Sequence, residues 1–135
     1  MNSDNRKILK CLIIDPDVNA LRETSRMIDN HPQLEIINSC KTGRSAYFTL
    51  NDSEIDLVFM NPALPDTNGF DLIKAMDNPP LVVILSDRPD YAFYAYRIDA
   101  VDYRMKPLIA DRLEVTLDRV YMRLAMREAF QKSNG

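Results

Sequence analysis

The sequence predicts an α/β fold: a five-stranded parallel sheet, doubly wound, with helices on both faces. Three observations carry that expectation. Five apolar runs recur at fairly regular intervals, namely Ile8 to Ile14, Leu34 to Asn38, Leu57 to Met60, Leu81 to Leu85 and Val101 to Met105. Segments able to form helices alternate strictly with them. The runs are also continuous rather than alternating in polarity, as strands covered on both faces require.

The elements follow in order. The first run ends in Asp15-Pro16-Asp17, and Asp17 can cap a helix that places Ala20, Leu21, Thr24, Met27 and Ile28 toward one face. After the second run, Gly43 to Leu50 forms a short helix with Ala46 and Leu50 inward. The third run closes at Asn61 and is followed by Pro62, Leu64, Pro65, Asp66 and Gly69, a buried strand feeding a loop. Asn68-Gly69 sets the entry of a helix over Phe70 to Met76, which Pro79-Pro80 stops. The fourth run ends in Ser86 and leads to an aromatic-rich segment, Arg88 to Tyr96. The last helix runs from Ala110 to about Gln131, with Leu113, Leu117, Val120, Tyr121 and Leu124 as its stripe. With no internal repeat and no interior linker, residues 1–135 read as one domain, its core at about 7–131 between short polar tails.

Composition excludes several classes. The net charge of -3 has both signs interspersed, so no strong field draws the chain to nucleic acid or to an anionic membrane. The apolar runs fall far short of the roughly 18 residues that span a bilayer, and the start is too polar for a signal peptide. A cytoplasmic location is expected. Cys11 and Cys40 read as buried free thiols, without metal or redox spacing. Only three glycines are present, none in a phosphate-binding loop after the first strand, and the single histidine, His31, has no catalytic company. His31 is expected to be a solvated charge partner at a helix end, and the methionines to be filler.

In a sheet of this type the site lies beyond the carboxyl ends of the strands. Asp15, Asn61, Ser86 and Lys106 fall at four such ends, and the pattern resembles the receiver domains of two-component response regulators over Ile8 to about Leu124. The likeness is nearest to the LytTR-type transcription regulators, through Tyr91-Ala92-Phe93 and Asp99-Ala100-Val101-Asp102-Tyr103. The resemblance implies the flavodoxin-like strand order 2-1-3-4-5. It matches Asp15 to the first of two metal-holding acids, with Pro16 in place of the second and Asp17 beyond. It puts Asn61 at the phosphoacceptor aspartate's position. Ser86 falls at the hydroxyl that senses the phosphoryl group, Tyr103 at the aromatic switch, and Lys106-Pro107 at the lysine and its following proline, joined by a bond expected to be cis.

An amide is a far poorer nucleophile than a carboxylate and offers no charge to a metal. With Pro16 and Asn61 in place, Asp15 and at best the Ala63 carbonyl remain as weak metal candidates, so no cofactor is expected and Mg2+ should bind weakly if at all. Lys106 can then pair with Asp15 directly. The expected function is a pseudo-receiver, not an enzyme, that acts without phosphorylation. It would serve as an interaction or dimerisation module through the face of the fourth helix, fifth strand and fifth helix, meeting a signalling partner or a second copy. By itself it should bind no nucleic acid and no membrane.

Blander readings exist for each residue: Asn61 can cap a turn, and Asp15-Pro16-Asp17 can be a plain helix start. An engineered Asp-to-Asn exchange at 61, in a DNA-binding regulator whose effector domain is absent, is one alternative; Pro16 speaks against it, because a second acid would not have been altered too. A small α/β enzyme or a flavin- or nucleotide-binding protein is the alternative of another class.

Overall fold

The computed structural model describes residues 6–134. Five strands form one sheet: β1 (Leu9–Ile14), β2 (Leu34–Cys40), β3 (Leu57–Met60), β4 (Leu81–Ser86) and β5 (Asp102–Met105). Between and after them run α1 (Val18–Asp29), α2 (Gly43–Asp52), α3 (Gly69–Lys74), α4 (Ala92–Arg97) and α5 (Ala110–Asn134). All neighbouring pairs are parallel and the order is β2-β1-β3-β4-β5. The flavodoxin-like order and the doubly wound α/β class therefore both hold.

Strand periodicity splits the core into two layers, because alternate side chains point to opposite faces. Leu9, Cys11 and Ile13, with Leu57, Phe59, Leu81, Val83 and Leu85, meet Leu21 and Ile28 of α1 and Leu113, Leu117 and Val120 of α5. Leu12, Ile14, Val58, Met60, Val82 and Ile84 meet Ala46, Phe70, Ile73 and Ala95 of α2, α3 and α4. Both cysteines are free and buried, and burial, followed by the charge of Asp56, pushes the Cys11 thiol up to about 12.

Several bounds differ from the sequence expectation, and hydrogen bonding explains the differences. Ile8 is 61% exposed and β1 starts at Leu9, the first residue with a partner in β2. Strand β2 continues to Cys40 because that residue pairs with Ile14, whereas β4 ends in Ser86, paired with Met105, as the sequence indicates. Strand β5 begins at Asp102, not Val101. The segment from Arg88 to Tyr96 is not one helix: Pro89 opens a 3-10 turn over Pro89–Tyr91, and α4 follows it. Helix α3 stops at Lys74, before the two prolines, and α5 runs on to Asn134. His31 is not solvated; its side chain is 11% exposed and Nε2 lies 2.7 Å from Glu114 of α5. Its Nδ1 accepts the Gln33 N–H at 3.1 Å, which makes Nε2 the protonated nitrogen of the neutral ring.

Two local features place the loops at the strand ends. Asp17 caps α1, accepting from the N–H groups of Asn19 (3.0 Å) and Ala20 (3.3 Å), so Pro16 precedes the cap and is outside the first helical turn. Gly69 opens α3 where a Cβ would fall 2.7 Å from Met60 Sδ and 2.9 Å from Pro62 Cα, a close approach only glycine permits. Among the described residues no helix is long and apolar enough to cross a membrane.

Candidate functional site

The carboxyl ends of β1, β3, β4 and β5 bring Asp15, Asn61, Ser86 and Lys106 to one end of the sheet. Asp15 follows the last residue of β1, and its N–H donates to Cys40 O at 2.9 Å, so its side chain leaves the sheet almost fully buried. Three donors surround that carboxylate. Lys106 Nζ lies 2.6 Å from Oδ2, the Asp17 N–H donates to Oδ1 at 3.0 Å, and Asn61 Nδ2 donates to Oδ1 at 3.4 Å.

Asn61 has a second bond that fixes its amide. Its Oδ1 accepts the Ala63 N–H at 3.1 Å, turning the chain after β3, while its backbone N–H donates to Ile14 O at 2.8 Å. The turn and the contact to Asp15 thus coexist in one residue. An aspartate here would keep the bond to Ala63 but set oxygen against oxygen where the amide now donates. The result is a carboxylate paired with an ammonium on one oxygen and held by two neutral donors on the other. The Asp17 side chain takes no part, being committed to α1, and Pro16 contributes neither charge nor N–H. Among the described residues no group of three or more His, Cys, Asp or Glu side chains is placed to hold a metal ion.

Ser86 and Tyr103 converge on the backbone of Arg88. Ser86 is buried and its Oγ accepts the Arg88 N–H at 3.1 Å; the Tyr103 hydroxyl donates to Arg88 O and lies 3.4 Å from Met105 Sδ. Burial, then the charges of Asp90 and Asp87, hold the Tyr103 phenol above its usual range. Lys106 is placed by its N–H, which donates to Ser86 O at 2.9 Å, and the Lys106–Pro107 bond is cis.

Three residues whose contacts the sequence does not reveal shape this end and its flank. Arg88 joins Ser86 to Tyr103 and pairs bidentately with Asp90 at 2.8 and 3.2 Å. Asp66, in the loop after β3, spends both oxygens on the N-terminus of α2, accepting from Gly43 N–H at 2.8 Å and Arg44 N–H at 2.9 Å. Those two bonds hold its carboxyl below the ordinary range. Asp102, buried at the start of β5, gathers Thr116 Oγ1 at 2.7 Å, Arg119 Nη1 at 2.9 Å and Arg104 Nε at 2.9 Å. Its acid type inside a strand, in a segment already matched to the LytTR-type regulators, was the available signal.

The sequence model of the response regulator receiver domain matches residues 11–118. The chain is 33% identical over 115 residues to the sensory transduction protein LytT of Bacillus cereus, covering 83% of this chain and 47% of that protein. It is 29% identical over 115 residues to the transcriptional regulatory protein LytR of Staphylococcus aureus, again covering 83% of this chain and 47% of the relative. The chain therefore spans about half the length of the curated relatives it matches. Among solved structures, the response regulatory domain of protein mrkE from Klebsiella pneumoniae superposes with a TM-score of 0.77 at 25% identity, over 87% of this chain and 99% of that one. Fold and sequence agree: this chain belongs to the receiver-domain family of two-component response regulators.

Proposed function

We propose that this receiver works without phosphorylation, as a cytoplasmic signalling module that acts by binding other proteins. The observation that carries the reading is the amide at position 61, donating to a carboxylate already paired with Lys106. An acyl phosphate needs a carboxylate nucleophile, and the family's position for one holds none. Magnesium prefers several hard oxygen ligands and keeps its water, so a single carboxylate neutralised by a lysine should hold it at most weakly. No catalytic step is assigned, and the domain by itself is not expected to contact DNA.

The docking face is the one formed by α4, β5 and α5. Phe93, Tyr94 and Tyr96 of α4 are 64%, 49% and 84% exposed, and Arg97 lies over the Phe93 ring at 5.9 Å. Exposed aromatic side chains next to arginine are the residues that most often anchor protein interfaces. Any shift between states of this face would be driven by a partner's preference for one of them.

Intact mass after incubation with acetyl phosphate and Mg2+ tests the reading. The expected spectrum is unchanged, as are the NMR signals of Ser86, Tyr103 and Lys106 on adding beryllofluoride. Asn61→Asp alone should label slowly, and Asn61→Asp/Pro16→Asp should label well. A hydroxylamine-labile phosphoryl adduct on the unaltered chain would refute the proposal.

A further inference from the structure

Where β5 turns into α5 the surface folds into a cavity of about 250 Å³, lined by Tyr103, Arg104, Met105, Pro107, Leu108 and Arg112. Two of these residues are arginines and none is an acid; Asp111, next to Arg112 in the chain, is not part of the wall. Charge is unbalanced here. Asp102 alone answers two arginines, Arg104 Nε at 2.9 Å and Arg119 Nη1 at 2.9 Å, so that cluster keeps a positive charge. Arg112, exposed in the first turn of α5, adds another and has no ion-pair partner among the described residues. The surplus is local, since the whole chain carries a net charge of -3. Hydrogen bonding is unbalanced too. Arg104 spends its Nε on Asp102 and on Thr116 Oγ1 at 3.2 Å, but its Nη2 is the one buried side-chain nitrogen or oxygen without a hydrogen-bond partner among the described residues. Such a donor weakens the fold until something accepts from it.

We propose that this cavity binds a small organic oxyanion, a carboxylate or phosphate group on a short carbon body, held between Arg104 and Arg112. A planar guanidinium presents paired N–H donors that match two oxygens of either group. The headgroup meets Arg112 at the mouth, and a turn of the Arg104 guanidinium about its terminal bonds brings Nη2 to a second oxygen. Tyr103, Met105, Pro107 and Leu108 give the carbon body its walls. At about 30 Å³ for an atom of water size, the space admits about eight such atoms, too few for a nucleotide or a peptide. The seat joins β5 to α5 beside Tyr103, so a bound anion favours whichever arrangement of that junction holds it better. The inference rests on the cavity and its arginines, and stands whether or not the strand-end site can take a phosphoryl group.

NMR titration of the isotope-labelled full chain, without Mg2+ or phosphoryl donor, tests it, using butyrate, ethyl phosphate and, at matched ionic strength, sodium chloride. Saturable shifts are expected at the Arg104 and Arg112 side chains and at the amides of Tyr103, Met105 and Leu108. Whether butyrate, ethyl phosphate or both produce them identifies the headgroup, while chloride should only screen. Arg112→Gln should weaken binding by about tenfold or more, the loss of one charge-assisted contact, and should melt like the unaltered chain because the side chain is exposed. Arg104→Lys should weaken it as well, since a point charge replaces the fork. Arg127→Gln, far along α5, should leave the affinity unchanged. Shifts that never saturate or that chloride reproduces would overturn the proposal. So would saturable shifts centred on Lys106 and Ser86, which move the anion to the strand ends, or an affinity that Arg112→Gln leaves intact or that Arg127→Gln lowers equally. The same shifts arising from higher protein concentration alone would overturn it too, by filling the cavity with an acidic side chain of another copy.

Discussion

Replacing Lys106 by methionine removes the positive charge that faces Asp15. The ammonium and Oδ2 are 2.6 Å apart, with side chains only 16% and 4% exposed. At an effective dielectric of about 20, that separation corresponds to a gross attraction of about 6 kcal/mol. Desolvation offsets much of it, and breaking a buried pair by deleting one partner typically costs about 3–5 kcal/mol. Asp15 keeps the Asp17 N–H and the Asn61 amide, so the expected loss is at the lower end, about 3 kcal/mol. Urea unfolding of Lys106→Met, Asp15→Asn and the double variant closes a thermodynamic cycle. Each single variant should be destabilised, while the double variant should lose clearly less than their sum, a coupling of about 2 kcal/mol. Because the pair needs no divalent ion, 10-fold changes in Mg2+ should move none of the four stabilities. A coupling below about 0.5 kcal/mol, within the additivity expected of independent sites, would refute the reasoning.

Two further outcomes test the loops around the site. Gly69→Ala should cost about 1–3 kcal/mol in unfolding experiments, because its Cβ meets the Pro62 backbone; at Gly43 the added Cβ clashes with the Thr67 side chain, which can turn away, and meets Asp66 Oδ1 at an ordinary 3.4 Å, so Gly43→Ala should cost less. Asp66 has a carboxyl held below the ordinary 3.8 by the α2 N–H groups, so its contribution is present above that value and is lost as the pH falls through the lower folded value. Acid titration of Asp66→Asn should show a shallower loss of stability below about pH 4 than the unaltered chain, and an identical acid limb would count against the capping role.

Most of the fold was legible because the inner strands are apolar but for Lys10 and Ser86 and are bounded by Pro, Gly or a capping residue. Periodicity alone could not see Pro89 dividing the aromatic segment: the spacing of Tyr91, Ala95 and Ile98 is helical, and only the backbone shows a 3-10 turn before α4. The strand-end residues were legible as a set because each terminates a strand. Asp66 was not, since its hydrogen-bond partner Gly43 lies 23 residues away and nothing local marks a loop aspartate as the cap of another element. Asp102 was hidden for a related reason. A single acid in a strand reads as a surface residue until α5 supplies Thr116 and Arg119 above it. His31 was misread because its partner, Glu114, comes from α5, 83 residues on.

The two margins of the sheet have a consequence for how this domain stays apart from other sheets. An exposed strand edge is a template on which another chain can pair. On one margin, β5 is only four residues long, and Asp102, Arg104 and Arg119 form an ionic cluster beside it. On the other, β2 is longer, but its register with β1 slips between Cys11 and Leu12, which leaves Ile37 as an extra residue in the strand. Such a bulge bends and twists an edge out of the flat geometry that strand addition needs. Both rims are therefore poor acceptors for a foreign strand. Partners are left to read the domain through its helices, and the unpaired backbone at the rims is guarded against the growth of intermolecular β-structure.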